Sequence, residues 1–204
     1  MRVGVLVSGE GSNLQALLDK LHGKGEVEVV AVGSSTEGAR GLERAHAAGV
    51  EAQAFPYAEI GGREARDLAM GDWLEEREVE LLVLAGFMEV LSPAFVRRFA
   101  GRMINVHPSL LPAFPGVRAI EQAIEYGVRV TGVTVHFVEE AVDTGPIVLQ
   151  RSLELPYPAG IAEVETQLHR IEHELLPRAV LLFARDRVKV VEGSRRVEVD
   201  DAGD

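Results

Sequence analysis

Short apolar runs alternate with stretches of helical periodicity along the first half of the chain. Residues 2–7, 27–32 and 79–85 are rich in β-branched side chains, a pattern typical of strands buried in a parallel sheet. Between them, residues 14–21 and 42–48 carry apolar side chains at helical spacing, and a more charged helical segment covers residues 63–77. This alternation predicts βαβ units, and therefore a parallel sheet with helices on both faces.

The second half of the chain predicts a different arrangement near its end. Its predicted elements are a helix opened by Ser92-Pro93, a strand at 103–106, a helix at 118–126, strands at 131–138 and 146–153, a helix at 161–184, and a hairpin at 187–191 and 196–199. The predicted fold is an α/β, Rossmann-like open sheet, mostly parallel, with antiparallel strands towards the C-terminus. Because no repeat or linker interrupts the pattern, we expect a single domain over residues 1–199 and a disordered tail at 200–204.

Composition narrows the classes of function. With 21 basic and 32 acidic residues, the net charge is −11, which disfavours binding to a nucleic-acid backbone. The absence of cysteine excludes disulfides, thiolate chemistry and Cys-based zinc sites. Since no apolar run approaches the roughly 18 residues that span a bilayer, and no signal-peptide pattern opens the chain, we expect a cytoplasmic protein without membrane contact.

A glycine-rich turn, Ser8-Gly9-Glu10-Gly11-Ser12-Asn13-Leu14, joins the first predicted strand to the first helix. Ser12 and Asn13 are suited to cap that helix, whose first N–H groups and dipole favour an anion. Leu14 stands where the dinucleotide fingerprint requires its third glycine, and no Gly-Lys-Ser/Thr of a P-loop follows. The motif fits both a capped helix without a ligand and a site for a single phosphate.

Asn105 and His107 lie two positions apart at the end of a predicted strand, so their side chains share one face. The carboxyl ends of strands are where open α/β sheets bind ligands. An amide beside an imidazole can stabilise an oxyanion and move a proton, although such a pair also serves to satisfy loop backbone groups. Residues 107–116 contain three prolines, which exclude regular structure, and the sequence leaves open whether the Leu111–Pro112 peptide is cis or trans.

Asp143 lies in a loop between two apolar strands, just before Gly145. In isolation this pattern indicates a turn; if the loop folds over His107, the carboxylate orients the imidazole and favours its charged form. His136 lies within an alternating strand, where a histidine is more often structural. His169 and His173 have a spacing compatible with metal binding, but no His-Glu-x-x-His motif is present, and we expect no metal site.

Four segments occur together in an order that is similar to one known family. They are Ser8-Gly9-Glu10-Gly11-Ser12-Asn13-Leu14-Gln15-Ala16-Leu17, Leu84-Ala85-Gly86-Phe87-Met88, Ile104-Asn105-Val106-His107-Pro108-Ser109-Leu110-Leu111-Pro112, and residues 131–147 with Asp143-Thr144-Gly145-Pro146. They resemble the phosphoribosylglycinamide formyltransferases, within the folate-dependent formyltransferases, over about residues 1–191. The Gly-Ser-Asn-Leu-Gln segment is what narrows the resemblance to these enzymes.

The resemblance implies an activity and a set of site residues. The activity is transfer of the formyl group of 10-formyltetrahydrofolate, a co-substrate, to glycinamide ribonucleotide in de novo purine (IMP) biosynthesis, with no tightly bound cofactor. The implied catalytic residues are Asn105, His107 and Asp143. The implied ribonucleotide-binding residues are Gly11, Ser12, Asn13, His169, Arg170, Ile171 and Glu172. The implied folate-binding residues are Arg63, Met88, Glu89, Val90, Leu91, Asn105, Glu139, Glu140, Ala141, Val142 and Asp143.

Within this resemblance the N-terminal half is expected to bind phosphate and the C-terminal half folate, in a monomer or a homodimer. Three positions depart from the family pattern: Glu89 stands where relatives often carry Arg, and His169 and Ile171 replace Gln-type residues. Three alternatives stay open: a methionyl-tRNA formyltransferase, which this short acidic chain disfavours; a formyltetrahydrofolate hydrolase; and a nucleotide-binding regulatory module without catalysis.

Overall fold

The computed structural model describes residues 1–200. In chain order its elements are β1 (Arg2–Val7), α1 (Ser12–Lys20), β2 (Glu28–Ser34), α2 (Arg40–Ala47), β3 (Glu51–Ala54), α3 (Tyr57–Ile60), α4 (Arg63–Glu76), β4 (Leu81–Leu84), α5 (Pro93–Arg98), β5 (Met103–His107), α6 (Ala119–Tyr126), β6 (Val130–Phe137), β7 (Ile147–Glu154), α7 (Ile161–Ala184), β8 (Val188–Val190) and β9 (Val197–Val199). Seven strands form one sheet in the order β3-β2-β1-β4-β5-β6-β7, and β8 and β9 form a separate hairpin.

The strand directions confirm the predicted α/β class with a mostly parallel sheet. β1 pairs in parallel with β2 and β4, β2 with β3, and β4 with β5, whereas β6 and β7 are antiparallel. The predicted terminal hairpin is also present, because β8 and β9 pair in antiparallel register. Among residues 1–200, none of the helices combines the length and the apolar character that a membrane span requires.

The chain divides into two compact units, the first covering Met1–Asn105 and the second starting at Val106. One domain over residues 1–199 therefore stays a prediction. In the first unit, β1 has a neighbouring strand on each edge, and Val3, Val5, Leu6 and Val7 are completely buried. Each such aliphatic side chain contributes about 1.5–3 kcal/mol of burial free energy, which explains why β1 reads as a continuous apolar run.

Two elements of the first unit were absent from the predicted set, β3 and α3. In β3, exposed Glu51 and Gln53 alternate with half-buried alanines, so the strand has almost no apolar signal. It lies at one end of the strand order, where a polar sequence is tolerated. The helix α3 has only four residues, too few to show a helical period.

In the second unit, the long helix α7 packs on β6 and β7. Leu168, Leu175 and Leu182 recur every seven residues and are essentially buried. They form one apolar stripe along α7, and this stripe explains why the helix packs on the two strands. The Leu111–Pro112 peptide, left open by the sequence, is cis. The backbone N–H of Asp200 donates to Arg187 O at 3.1 Å, and the rest of the predicted tail, residues 201–204, lies outside the described residues.

Candidate active site

The turn between β1 and α1 is built around Gly11. This residue takes a left-handed conformation with φ 68° at the N-cap of α1. A Cβ at this position would lie 2.7 Å from Gly41 Cα, so only glycine fits. The backbone N–H of Gln15 donates to Gly11 O at 2.9 Å, the first bond of the helix. The N–H groups before it have no acceptor within the helix, which is the property that a phosphate site uses.

The prediction that Ser12 and Asn13 cap this helix is wrong. The helix begins at Ser12, two residues earlier than the apolar period indicated, and no side chain caps it. Ser12 and Asn13 therefore lie inside its first turn, and the cap position is taken by Gly11, which has no side chain. The three predicted phosphate-binding residues are nevertheless consecutive at the start of one helix.

The helix α2 supports this turn through two arginines that sequence analysis did not single out. Arg44 Nε donates to Glu10 O at 2.8 Å, and its Nη1 donates to Gln15 Oε1 at 2.9 Å. Arg40 Nη1 lies 3.1 Å from Glu10 Oε2. The backbone on both sides of Gly11 is thereby held from a neighbouring helix. No period or motif marks these arginines, because their role arises from contacts about 30 residues apart in sequence.

The segment that follows β4 places two of the predicted folate-binding side chains in solvent. Met88 is 70% exposed and Val90 is 51% exposed, whereas Leu91 belongs to the core. The backbone N–H of Met88 donates to Ser8 Oγ at 2.8 Å, which ties this segment to the end of β1. The exposed pair leaves an apolar surface on a well-anchored backbone.

Three charged residues of the first unit complete this region. Arg63 opens α4 and is exposed, and Glu89 is half-buried. Arg66, on α4, is completely buried and contacts Glu89 through an ion pair at 3.6 Å. The sequence does not reveal the burial of Arg66, because a single arginine in a charged helical segment gives no sign of it.

His107 lies at the end of β5 and is buried. Its Nε2 is 2.9 Å from Phe114 O, and its Nδ1 is 3.4 Å from Asp143 Oδ2. Both ring nitrogens therefore face oxygen atoms of the protein. Asn105 precedes it by two positions on the same strand, as predicted, so the two side chains leave the same face of β5.

Asp143 is held from several directions. Its Oδ2 accepts the backbone N–H of Gly116 at 2.7 Å, and its Oδ1 lies 3.6 Å from His136 Nε2. Burial by itself raises the pKa of this carboxyl, but hydrogen bonds from His136 and Gly116 and the charges of His107 and His136 outweigh burial. The pKa of Asp143 is therefore lowered from its usual 3.8, and the group is ionised at neutral pH.

The sequence predicts a structural role for His136, and the structure shows a further contact, with Asp143. The ring is 2% exposed on β6, its Nδ1 is 2.8 Å from Phe137 O, and its Nε2 faces Asp143. The register of β6 and β7 shifts between Val135 and His136, and this irregularity redirects the strand beside the ring. Alternation of polar and apolar residues cannot reveal such a shift, which is why the sequence did not predict this contact.

The loop before Asp143 carries the remaining predicted folate-binding residues. All four are exposed, namely Glu139, Glu140, Ala141 and Val142. Thr144 Oγ1 donates to Ala141 O at 3.0 Å, and Arg195 of the terminal hairpin lies 3.6 Å from Glu139 Oε2. The loop therefore presents its side chains outward while its far end holds the aspartate.

The four predicted ribonucleotide-binding residues of α7 differ in exposure. His169 and Arg170 are exposed, Ile171 is half-buried and Glu172 is buried. The rings of His169 and His173 stack with centroids 6.2 Å apart. Among residues 1–200, no group of three or more His, Asp or Glu side chains is arranged to hold a metal ion.

Comparison with known proteins identifies the family of the chain. The family described as "Formyl transferase" matches residues 1–180. The phosphoribosylglycinamide formyltransferase of Escherichia coli (strain K12) is 40% identical over 197 residues, covering 95% of this chain and 92% of that protein. The trifunctional purine biosynthetic protein adenosine-3 of Drosophila pseudoobscura pseudoobscura is 42% identical over 207 residues, but this chain spans only 15% of its length.

Solved structures of formyltransferases are also similar to this chain. The crystal structure of glycinamide ribonucleotide transformylase 1 from Symbiobacterium toebii superposes with a TM-score of 0.93 at 43% identity, covering 98% of this chain and 94% of that chain. The phosphoribosylglycinamide formyltransferase from Anaplasma phagocytophilum gives a TM-score of 0.91 at 34% identity, with coverage of 100% and 96%. On this evidence of sequence and structure, the chain belongs to the formyl transferase family.

Proposed function

We propose that this protein transfers the formyl group of 10-formyltetrahydrofolate to the amine of glycinamide ribonucleotide, a step of de novo purine biosynthesis. The observation that carries the proposal is the pairing of His107 with an ionised Asp143, 3.4 Å apart, in a member of the formyl transferase family. Relatives that match along 90% or more of their length are named phosphoribosylglycinamide formyltransferase, which supports this acceptor.

The reaction requires an oxyanion to be stabilised and a proton to be moved. The amine of the ribonucleotide attacks the formyl carbon, a C–N bond forms, and the carbonyl electrons move to oxygen. Asn105 and His107 donate hydrogen bonds to that oxyanion, while the Asp143 carboxylate, 3.4 Å from His107 Nδ1, holds the imidazole in orientation. Collapse of the intermediate breaks the bond to the folate nitrogen, which takes up the proton lost by the attacking amine.

His107 has to change one of its contacts for this step. Its two ring nitrogens face Phe114 O and Asp143 in the structure. Since Asp143 serves as the orienting group, we propose that the bond to Phe114 O is the one exchanged for the oxyanion. Hydrogen bonds of catalytic groups are often rearranged between the free and the substrate-bound enzyme.

We propose two binding regions for the other residues. Gly11, Ser12 and Asn13 hold the phosphate of the ribonucleotide through backbone N–H groups at the start of α1. His169, Arg170, Ile171 and Glu172 contact the rest of that substrate. The folate-binding residues are Arg63, Met88, Glu89, Val90, Leu91, Asn105 and the loop Glu139, Glu140, Ala141, Val142 and Asp143. Of these, the exposed side chains of Met88 and Val90 offer an apolar surface to the flat pterin ring.

The proposed function also implies a co-substrate, a cellular location and a set of partners. 10-Formyltetrahydrofolate is consumed as a co-substrate, and the chemistry needs neither a metal nor a tightly bound cofactor. We propose a cytoplasmic enzyme with small-molecule partners and no nucleic-acid partner, since the chain carries a net charge of −11. We also propose that residues 1–199 act as one domain, as a monomer or a homodimer.

The decisive experiment measures formyl transfer from 10-formyltetrahydrofolate to each acceptor in turn. The expected result is rapid release of tetrahydrofolate that depends on glycinamide ribonucleotide and yields the formylated product. Release of formate at the same rate without the ribonucleotide would instead identify a hydrolase, and transfer to methionyl-tRNA a tRNA formyltransferase. Tight folate binding without any turnover would point to a regulatory module.

A further inference from the structure

The side chain of Arg66 on α4 is completely buried, which is unusual for an arginine. Its guanidinium points at the segment after β4, where its Nη2 donates to Val90 O at 3.3 Å. Its Nη1 lies 3.6 Å from Glu89 Oε2, and the guanidinium lies over the Phe87 ring, 5.7 Å from its centroid. Arg66 therefore contacts three of the residues between 87 and 90.

The neighbouring residue, Asp67, extends these contacts to the end of the segment. Its Oδ1 accepts from Arg66 Nε at 2.7 Å, and its Oδ2 accepts from the backbone N–H of Ser92 at 2.5 Å. Ser92 in turn caps α5 by accepting from Phe95 N at 3.3 Å. Arg66 and Asp67 thus hold residues 87–92, the segment that ends at the N-cap of α5.

Stability alone does not account for this arrangement. Removing a guanidinium and a carboxylate from water costs free energy that an ion pair only partly returns, and an apolar pair of similar volume is often as stable. In addition, Arg66 Nη1 is buried without a hydrogen-bond partner, which adds to the cost. A buried guanidinium whose Nη1 makes no hydrogen bond, and only a 3.6 Å ion pair with Glu89, indicates that the geometry of residues 87–92 is what the arginine provides.

We propose that Arg66 is a positioning residue for the folate co-substrate, holding residues 87–92 so that the exposed Met88 and Val90 side chains form a ready-made surface for the pterin ring. This inference rests on the proposed function. Holding the segment in place before binding reduces the entropy lost when folate binds. Arg66 also balances the negative charge of Glu89, one of the three positions at which this sequence departs from the family pattern.

Kinetics of two variants test the proposal. Arg66→Met keeps the approximate volume without charge, and Arg66→Lys keeps the charge without the planar fork that reaches Asp67 and Val90 together. For both we expect the KM for 10-formyltetrahydrofolate to rise about tenfold, the effect of losing one hydrogen bond to a charged group. The KM for glycinamide ribonucleotide and kcat should stay within about threefold.

A control lies at the residue that follows α4. Arg77 is half-buried and ion-paired, but its ion-pair and hydrogen-bond partners are Glu51, Glu76 and Trp73 O. Arg77→Met likewise removes an ion-paired guanidinium, and it should leave both KM values unchanged. A folded Arg66 variant with wild-type folate KM, or with both KM values raised equally, would overturn the positioning role.

Hydrogen exchange of the free protein provides a readout that does not depend on activity. The backbone N–H of Ser92 donates to Asp67, so Arg66→Lys should accelerate exchange of this amide and of its neighbours in residues 87–92, and Arg77→Met should not. Unchanged exchange in Arg66→Lys would contradict the proposal. If the wild-type protein fails to formylate the ribonucleotide, the proposed function fails, whereas the exchange experiment still decides whether Arg66 holds the segment.

Discussion

Asp143 bridges two buried histidines, since its Oδ1 lies 3.6 Å from His136 Nε2 and its Oδ2 lies 3.4 Å from His107 Nδ1. His136 Nδ1 is in turn 2.8 Å from Phe137 O, which fixes the orientation of that ring. The chain of contacts therefore runs from the backbone of β6 through His136 and Asp143 to His107. A carboxylate held at both oxygens has little freedom to rotate away from the imidazole that it orients.

This relationship predicts a positioning role for His136. In His136→Phe, Asp143 loses one hydrogen-bond donor, and we expect kcat to fall about tenfold or more, the effect of one hydrogen bond to a charged group. Because the bond from His136 lowers the pKa of Asp143, its loss raises that pKa. If Asp143 ionisation sets the acidic limb of the kcat profile, that limb moves to higher pH, which a pH–rate measurement will detect.

His46 provides the matched control, because it is an exposed histidine on α2. His46→Phe should leave kcat and its pH profile unchanged. If His136→Phe has the kcat of wild type and the acidic limb of its pH profile does not move, His136 has a purely structural role.

Replacement of Asp143 by asparagine should change stability in a pH-dependent way. The folded-state pKa of Asp143 is lowered, so ionisation stabilises the fold above the ordinary pKa of 3.8, and this contribution disappears as pH falls through the lowered value. We therefore expect wild type to exceed Asp143→Asn in free energy of unfolding at pH 7 and the difference to shrink below about pH 4. Urea unfolding at pH 7, 5 and 3 measures this, and a pH-independent difference would contradict it.

Asn105→Ala tests the oxyanion interaction. Asn105 is half-buried at the last position of the first unit, so its truncation should leave the fold intact. Loss of one oxyanion donor lowers kcat by about 10²–10³-fold, with a much smaller change in folate binding. Steady-state kinetics and circular dichroism check both parts. A kcat within about threefold of wild type would assign Asn105 a structural role and remove the first step of the proposed mechanism.

Gly11→Ala tests the phosphate site. The substitution places a Cβ 2.7 Å from Gly41 Cα at a residue with φ 68°, so the turn has to move. We expect the KM for the ribonucleotide to rise much more than the KM for folate. Gly9→Ala is the control in the same turn, because a Cβ there meets nothing within 4 Å. Equal effects on both substrates would place the phosphate elsewhere.

The sequence alone determined the order of the elements, apart from β3 and α3, and the segments proposed to carry the chemistry. Apolar runs such as β1 are continuous because both edges of the strand are paired, and α7 shows its buried stripe because helical spacing repeats over 24 residues. Likewise, the spacing of Asn105 and His107 places both on one face of a strand whatever the rest of the fold. These features depend on local periodicity, which a sequence displays directly.

The tertiary structure decided what depends on contacts between distant segments. Only folding brings Asp143 to His136 and His107, places Arg66 in the interior against residues 87–90, and sets Gly11 against Gly41. A lone histidine, arginine or glycine has the same local sequence whether it is solvated or buried, because its role is set by the side chains that the fold brings to it. Periodicity carries no information about those partners, and for that reason the sequence offered Asp143 as a partner of His107 only conditionally and did not predict the contacts of His136 and Arg66.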